Sequence, residues 1–238
     1  LVEEFLEGQE VSLFFLSDGK TVLPLSPAQD FKRAFDNDEG PNTGGMGAYS
    51  PLPWLPKDFI EEVERTVAQP TVDQLARMSM PFTGLLYCGL IVTPRGIRVI
   101  EFNARFGDPE TQVVLGRLVT PLAGLLHRAS TGRLADGPSA QFSKGVAVTV
   151  VLASEGYPDR PAPDRPIGSL TEDDNVHICH ASTFRQGDDL IATGGRVLSV
   201  VATAPDFATA RKLAYENIAK IQLDGSHYRS DIAAKVSD

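Results

Sequence analysis

Cysteine, long apolar runs and positive charge are all scarce in this chain of 238 residues. Its two cysteines, Cys88 and Cys179, lie far apart and outside any Cys-x-x-Cys pair, which excludes a disulfide framework and a zinc knuckle and favours a reducing cytoplasm. No segment approaches the roughly 18 uninterrupted apolar residues of a membrane span. The formal net charge of −9 argues against broad binding to nucleic acid or acidic membranes.

The remaining composition is that of an ordinary globular protein, with 42% apolar and 22% charged residues. The length suits one large domain or two smaller ones. The first residue is leucine, and no basic and apolar leader follows it, so we expect the chain to begin inside a larger protein. The short cluster His177, Cys179 and His180 invites a metal assignment, but on a strand His180 faces away from the other two, which favours a structural role.

Apolar alternation and turn residues predict two antiparallel pairs of strands in the first half of the chain. One pair flanks Asp18-Gly19 and the other flanks residues 93–96. Helical spacing over 55–78 is interrupted by Pro70, which predicts two helices or a kink. A further helix is predicted over 111–130, with leucines and valines on one side.

The second half of the chain reads as a small α+β module. A polar segment rich in glycine and proline, 132–144, is the best linker candidate. Asp206 is the expected N-cap of the last helix. The predicted domains are therefore 1–131 and 132–238, and the elements predicted after the linker are strands at 146–152, 176–181, 190–192 and 195–203, and a helix over 207–221.

The segment IEFNARFGDPE, residues 100–110, carries most of the chemical information. Strand side chains alternate, so Val99, Glu101 and Asn103 are expected on one face, with Ile100 and Phe102 turned into a core. A carboxylate and an amide oxygen about 6–7 Å apart along a strand suit an octahedral cation completed by waters or phosphate oxygens, the usual arrangement for Mg²⁺.

Arg105 continues on the Glu101 face, and Gly107-Asp108-Pro109 then turns the chain. A cation, a planar anion-binding fork and a neighbouring bend indicate phosphoryl chemistry. The alternative for Glu-x-Asn by itself is a solvated strand end with an asparagine cap.

Residues 40–51, GPNTGGMGAYSP, are rich in glycine, which allows successive backbone N–H groups to converge on an anion. No Gly-Lys-Ser/Thr follows, so this is not a Walker A loop. A flexible turn is the competing interpretation. Lys32 and Arg33, just upstream, add cationic donors or are simply solvated.

The first ten residues combine apolar side chains, carboxylates and a glycine. An extended segment of this kind can offer backbone groups to a flat base while a carboxylate accepts from ribose hydroxyls, although each residue taken singly reads as surface acid or core.

Together these stretches resemble the phosphoribosylamine–glycine ligase (glycinamide ribonucleotide synthetase) family of ATP-grasp enzymes. The similarity spans essentially the whole chain, and the glycine loop and the EFN-RFGDPE run are specific to it. The segments that carry it, in order, are VEEFLEGQEVS, QDFKR, GPNTGGMGAYSP, GLLYCGL, IEFNARFGDPETQ, GYP, GGRVL and YRSDI.

The resemblance implies an α+β fold, in which the second lobe of an ATP-grasp domain, an antiparallel sheet with helices, precedes a small α+β C-terminal domain. It also implies Mg²⁺ or Mn²⁺ as cofactor and ATP as co-substrate. The implied roles are metal ligation by Glu101 and Asn103, acceptor contacts by Arg105 and Asp108, ATP binding by Glu3, Glu4, Phe5, Leu6 and Glu10, and a substrate-side loop of Lys32, Arg33, Gly44, Gly45 and Met46.

The implied reaction joins glycine to 5-phosphoribosylamine through glycyl phosphate, in the cytoplasm, without nucleic-acid or membrane partners. Family members carry further N-terminal lobes, which we expect in the same polypeptide, so this fragment alone is expected to be inactive. Phe31, Ala104 and Gln9 depart from the family's common residues, and Phe31 weakens any substrate contact at that position. Another ATP-grasp carboxylate–amine ligase and a non-catalytic nucleotide-binding fragment remain alternatives.

Overall fold

The computed structural model describes residues 2–171 and 174–237, which are divided between two units. The first unit contains residues 1–29, 51–107 and 118–143, and the second contains 30–50, 108–117 and 144–238. The predicted α+β class is confirmed. In these residues no helix combines the length and the apolar character that crossing a bilayer requires.

Strands outnumber α-helices along the described residues, and they occur mostly in consecutive runs. The strands are β1 (Gln9–Asp18), β2 (Val22–Pro24), β3 (Gln29–Asp30), β4 (Arg33–Phe35), β5 (Glu39–Asn42), β6 (Gly47–Ser50), β7 (Thr83–Thr93), β8 (Gly96–Asn103), β9 (Val146–Ala153), β10 (Arg165–Ile167), β11 (Val176–His180), β12 (Thr183–Gln186), β13 (Asp189–Ala192) and β14 (Arg196–Ala204). The helices are α1 (Phe59–Val63), α2 (Gln69–Arg77), α3 (Glu110–Gly116), α4 (Leu122–Ser130) and α5 (Phe207–Ile218).

The first unit is built on an antiparallel sheet in the order β2-β1-β7-β8. Both predicted hairpins are confirmed, because β1 pairs with β2 and β7 pairs with β8. Gly19 turns the first hairpin at a φ of +90°, a conformation that glycine adopts without steric cost. The middle of β1, from Leu13 to Leu16, is fully buried.

The predicted interruption of the helix over 55–78 is confirmed, and it takes the form of a π-helical turn at Glu64–Ala68 between α1 and α2. The N–H of Gln69 donates to the carbonyl of Glu64, five residues back. Pro70 follows at the start of α2 and has no N–H with which to continue the α-helical ladder.

The single helix predicted over 111–130 is wrong. The chain forms two helices, α3 and α4, and Pro121 precedes the first residue of α4. A proline inside one long helix would remove a backbone donor and clash with the preceding turn. The two helices also belong to different units.

The prediction that Ile100 and Phe102 turn into a core is wrong, since they are 44% and 43% exposed. A bulge in β8 accounts for Ile100, because Leu90 is opposite Val99 while Gly89 is opposite Glu101, which leaves Ile100 as an extra residue. Phe102 follows the bulge and faces away from Glu101 as expected, but the groove that it lines is open to solvent. The bulge reverses the alternation, so Val99 lies with Phe102 in a shallow apolar groove rather than on the face of Glu101.

The second unit contains a five-stranded sheet in the order β11-β14-β9-β6-β3, a three-stranded sheet in the order β10-β13-β12 and the ribbon β4-β5. β9 is buried along its whole length, as a central strand covered on both faces must be. The predicted cap of α5 is confirmed, because Asp206 accepts a 2.8 Å hydrogen bond from the N–H of Thr209.

Two parts of the chain are more ordered than their composition predicts. The glycine-rich region contains β5 and the buried strand β6. The candidate linker 132–144 is attached to the first unit, because Leu134 is buried and its N–H donates to Asp18. The domain boundary after residue 131 stays a prediction.

Candidate active site

Glu101 and Asn103 lie side by side at the end of β8. The side-chain amide of Asn103 donates a 3.0 Å hydrogen bond to Oε1 of Glu101. Both residues follow the bulge, so the two-residue period still holds between them. The predicted adjacency is therefore confirmed, whereas metal binding by the pair stays a prediction.

Gly89, to which no role was assigned from the sequence, makes room for this pair. Gly89 is opposite Glu101 in the β7–β8 ladder, and a Cβ at that position would lie 3.1 Å from Cγ of Glu101. A glycine inside an otherwise apolar strand, as in GLLYCGL, indicates a close approach of this kind. Gly89 is therefore part of the site's framework.

The donor set of the pair suits a hard divalent cation. In the described parts of the chain, no three His, Cys, Asp or Glu side chains are grouped closely enough to hold a metal ion. One carboxylate and one amide oxygen fit a Mg²⁺- or Mn²⁺-like ion that completes its shell with waters and phosphate oxygens. They do not fit structural zinc, which takes a closed set of nitrogen and sulfur ligands.

The segment predicted to bind the ATP base precedes β1 and has no regular secondary structure. Phe5 is 87% exposed, Glu3 is also exposed and Leu6 is half-buried. Glu4 forms an exposed 2.7 Å ion pair with Arg95. Glu10 lies in β1 and is half-buried. Nucleotide binding by these five residues stays a prediction.

Arg105 lies beyond the end of β8 and is exposed. Its guanidinium donates a 2.9 Å hydrogen bond to the carbonyl of Phe106. Phe106 is half-buried, with its ring centroid 6.1 Å from that of Phe14. The predicted contact of Arg105 with an acceptor carboxylate remains untested.

Asp108 belongs to the second unit, and both oxygens of its carboxylate have partners. Oδ1 accepts a 2.9 Å hydrogen bond from the amide of Gln112, one turn along the chain. Oδ2 lies 3.2 Å from Nη2 of Arg196. The side chain is 47% exposed, so the carboxylate has a fixed orientation and still faces solvent.

The glycine-rich loop 43–46 does not present open N–H groups to an anion in this structure. Its N–H groups donate within the protein, from Thr43 to the carbonyl of Lys32, from Gly44 to the Tyr157 hydroxyl, from Gly45 to the Thr43 hydroxyl and from Met46 to the carbonyl of Phe31. Donors that are already occupied cannot converge on a phosphate in this conformation.

The other predicted substrate-loop residues are held by the same unit. The guanidinium of Arg33 donates to the carbonyl of Gly40 across the β4–β5 ribbon at 2.7 Å. The Lys32 carbonyl also accepts from the Thr43 hydroxyl at 2.8 Å. The Met46 side chain is fully buried, so it is a core residue of the second unit. Substrate binding by this loop stays a prediction.

Arg229, to which no role was assigned from the sequence, contacts the segment before the glycine loop. It is 1% exposed and forms ion pairs with Asp38 at 2.9 Å and with Asp231 at 2.7 Å. Its guanidinium also lies 4.9 Å from the ring centroid of Phe31. Phe31 therefore packs its ring against a cation, so it has a structural role in this unit.

The pKa values of Asp231 and Arg229 are both shifted toward the ionised form. Burial alone would raise the pKa of the Asp231 carboxyl, but hydrogen bonds from Arg229 and from the N–H of Asn37 lower that pKa below its ordinary value. Burial likewise acts to lower the pKa of Arg229, while Asp231 and Asp38 raise it. The segment YRSDI at 228–232 therefore stabilises the chain before the glycine loop through Arg229. Its sequence pattern did not indicate this role.

Family models match most of the chain. The ATP-grasp (A) domain of phosphoribosylglycinamide synthetase matches residues 1–111, and the C domain of the same family matches residues 147–235. The predicted domain boundary, after residue 131, lies in the unmatched interval 112–146.

Curated relatives named phosphoribosylamine–glycine ligase align along the whole chain. The relative from Leifsonia xyli is 65% identical over 99% of this chain, and the one from Streptomyces coelicolor is 58% identical over 100%. The chain spans 58% of the length of each of these relatives.

Solved structures agree with these matches. Phosphoribosylamine–glycine ligase from Thermotoga maritima superposes with a TM-score of 0.89 at 34% identity, covering 97% of this chain and 57% of that protein. The biotin carboxylase domain of a Hydrogenobacter thermophilus 2-oxoglutarate carboxylase reaches 0.70 at 13% identity, covering 95% and 48%. The latter likeness extends to the fold alone.

Proposed function

The chain belongs to the phosphoribosylglycinamide synthetase family, and from that membership we propose that the polypeptide of which it forms part joins glycine to 5-phosphoribosylamine at the expense of ATP. The products are glycinamide ribonucleotide, ADP and phosphate. The observation that carries the proposal within the fold is the Glu101–Asn103 pair, whose two side chains meet at 3.0 Å on an exposed strand end.

In this proposal Glu101 and Asn103 would hold Mg²⁺ or Mn²⁺. The cation would neutralise the charge that develops on the phosphate oxygens of ATP. Glu3, Glu4, Phe5 and Leu6 line the adenine, and Glu10 accepts from the ribose hydroxyls.

Arg105 orients the carboxylate of glycine, which attacks the γ-phosphorus and expels ADP, so that glycyl phosphate forms. The nitrogen of 5-phosphoribosylamine then attacks the glycyl carbonyl and phosphate leaves. Asp108 orients that nitrogen, and the loop containing Lys32, Arg33, Gly44, Gly45 and Met46 borders the acceptor. No side-chain nucleophile is needed, because positioning and electrostatics carry most of phosphoryl transfer.

The remaining length of the relatives is the basis for proposing further N-terminal lobes in the same polypeptide, without which the isolated chain is inactive. The scarcity of cysteine, with Cys88 and Cys179 as the two in the sequence, supports a cytoplasmic location. All proposed partners are small molecules.

The test is turnover by the full polypeptide with ATP, glycine and 5-phosphoribosylamine generated in situ, measured as glycinamide ribonucleotide and phosphate. Replacing Glu101→Gln keeps the shape of the side chain and removes its charge, and is expected to lower kcat by about 10²–10³-fold. Glu216→Gln, the same substitution at the exposed ion pair with Lys212, is the matched control and is expected to keep wild-type turnover.

Turnover with a different carboxylate or amine, and none with these substrates, would reassign the protein to another ATP-grasp ligase. Failure to bind ATP or a divalent cation would leave only a non-catalytic module. Either result overturns the proposal.

A further inference from the structure

Arg196 joins two segments of the second unit that lie far apart in the sequence. Its Nη1 donates to the carbonyl of Gly44 at 2.8 Å and to the carbonyl of Asp108 at 2.7 Å. Its Nη2 pairs with the Asp108 carboxylate. The side chain is 22% exposed, so this one guanidinium connects the glycine loop to the turn before α3 from a largely buried position.

The glycines around Arg196 are explained by this close approach. A Cβ on Gly44 would lie 2.8 Å from the guanidinium carbon of Arg196, and one on Gly45 would lie 2.4 Å from the ring of Pro109. Gly45 also has a φ of +112°, which disfavours any other residue. The loop is therefore rich in glycine because a guanidinium and a proline ring pack against its backbone.

A tyrosine from the C-terminal half strengthens the same arrangement. The hydroxyl of Tyr157 accepts from the N–H of Gly44 at 3.0 Å. A Cβ on Gly195 would lie 2.2 Å from the Tyr157 ring, so the glycine before Arg196 makes room for that ring. The segments GYP and GGRVL therefore both contact the glycine loop, through Tyr157 and Arg196, and hold its backbone in place.

We propose that Arg196 is a positioning residue that fixes the orientation of the Asp108 carboxylate. Through that carboxylate it also fixes the direction from which the acceptor amine, the nitrogen of 5-phosphoribosylamine, approaches. The inference rests on the proposed function, in which Asp108 orients the acceptor nitrogen. Arg196 and Gln112 hold one carboxylate oxygen each. A carboxylate held at both oxygens keeps one orientation, which is the preorganisation that amine attack on an acyl phosphate requires.

The test compares Arg196→Met and Arg196→Lys in the full polypeptide. Arg196→Met is expected to lower kcat for glycinamide ribonucleotide by about 10²-fold, the size expected for an acceptor displaced by about 1 Å. The KM for ATP is expected to stay within about twofold. Arg196→Lys restores part of the rate, because one ammonium can replace the ion pair but not the whole fork.

A partial reaction separates positioning from general structural damage. Positional isotope exchange in ATP, measured with glycine and without the ribosylamine, reports glycyl phosphate formation alone. Arg196→Met is expected to keep this exchange near the wild-type rate while overall turnover falls. Loss of both to the same extent would show that Arg196 is only structural and would overturn the inference.

Arg165→Met is the matched control, because Arg165 also lies in the second unit, pairs with a carboxylate, Glu155, and donates to a carbonyl, that of Asp224. It is expected to keep wild-type kcat. Equal losses of kcat in Arg165→Met and Arg196→Met would contradict the inference. It would also be contradicted if Arg196→Met lowered kcat by the same factor in a protein that already carries Asp108→Asn, because Arg196 is proposed to act through Asp108.

The two proposals fail in distinguishable ways. A wild-type polypeptide that turns over neither substrate sinks the proposed function. An active wild type with an unimpaired Arg196→Met variant sinks only the role of Arg196. If Arg196→Met does not fold, Arg196→Lys with the same isotope exchange decides the question.

Discussion

The two units restrain their candidate functional residues in opposite ways. In the first unit, Glu101 and Asn103 lie on an exposed strand end and hydrogen-bond to each other, and the segment before β1 has no regular structure. In the second unit, Asp108 and the glycine loop are held by Arg196, while the segment before that loop is held by the buried Arg229.

This difference is consistent with the proposed roles, in which the first unit supplies the metal ligands and the second unit orients the acceptor amine. A cation that takes part of its shell from water and phosphate needs an open pair of ligands, whereas a reacting amine needs a fixed direction of approach. Open ligands are compatible with a weakly restrained surface. A fixed direction requires long-range contacts, and the C-terminal half of the chain supplies them.

The largest expected difference between the two units is in the unfolding free energies of Arg229→Met and Arg95→Met. Removing Arg229 strips Asp38 and Asp231 of their cation, and is expected to cost about 3 kcal/mol of unfolding free energy, the low end for a broken buried pair because both carboxylates keep some contact with water. Arg95 and Glu4 are 71% and 62% exposed, so Arg95→Met is expected to cost less than about 1 kcal/mol. Urea unfolding followed by circular dichroism measures both, and equal losses would erase the distinction between the units.

One glycine-to-alanine substitution in each unit is expected to change the unfolding free energy, with opposite signs in the two units. In β6, a Cβ on Gly47 would lie 2.7 Å from the carbonyl oxygen of Thr149, so Gly47→Ala is expected to cost about 1–3 kcal/mol. In α4, a Cβ on Gly124 would meet nothing within 4 Å, so Gly124→Ala is expected to add about 0.5–1 kcal/mol. Thermal unfolding of the two variants gives the signs, and destabilisation by Gly124→Ala would contradict this view of packing.

The smallest expected effect is on acid stability. The pKa of Asp231 is lower in the folded chain than in the unfolded one, so its contribution is fully present above about pH 4 and is lost as the pH falls through the folded value. Asp231→Asn removes this dependence and is expected to flatten the acid limb by less than about 1.4 kcal/mol per pH unit. Unfolding free energies between pH 5 and about pH 2 measure the slope. An unchanged slope would mean that Asp231 contributes nothing to acid sensitivity.

Local patterns were sufficient for much of the fold. The hairpin at Asp18-Gly19, the cap at Asp206 and the interrupted helix near Pro70 all follow from interactions within a few residues. The adjacency of Glu101 and Asn103 also follows, because neighbours two apart on a strand share a face. The helix over 111–130 failed although Pro121 was visible, since its apolar spacing continues across the break.

What the sequence determined by itself is local geometry: strand and turn positions, caps, and a carboxylate beside an amide. Only the tertiary structure decided that β8 contains a bulge, that a glycine loop has its N–H groups occupied, and that Arg196 and Arg229 hold segments 88 to 196 residues away. The physical reason is that local periods are set by backbone stereochemistry. The partner of a buried guanidinium, by contrast, is set by which distant carbonyls and carboxylates folding brings within hydrogen-bond reach.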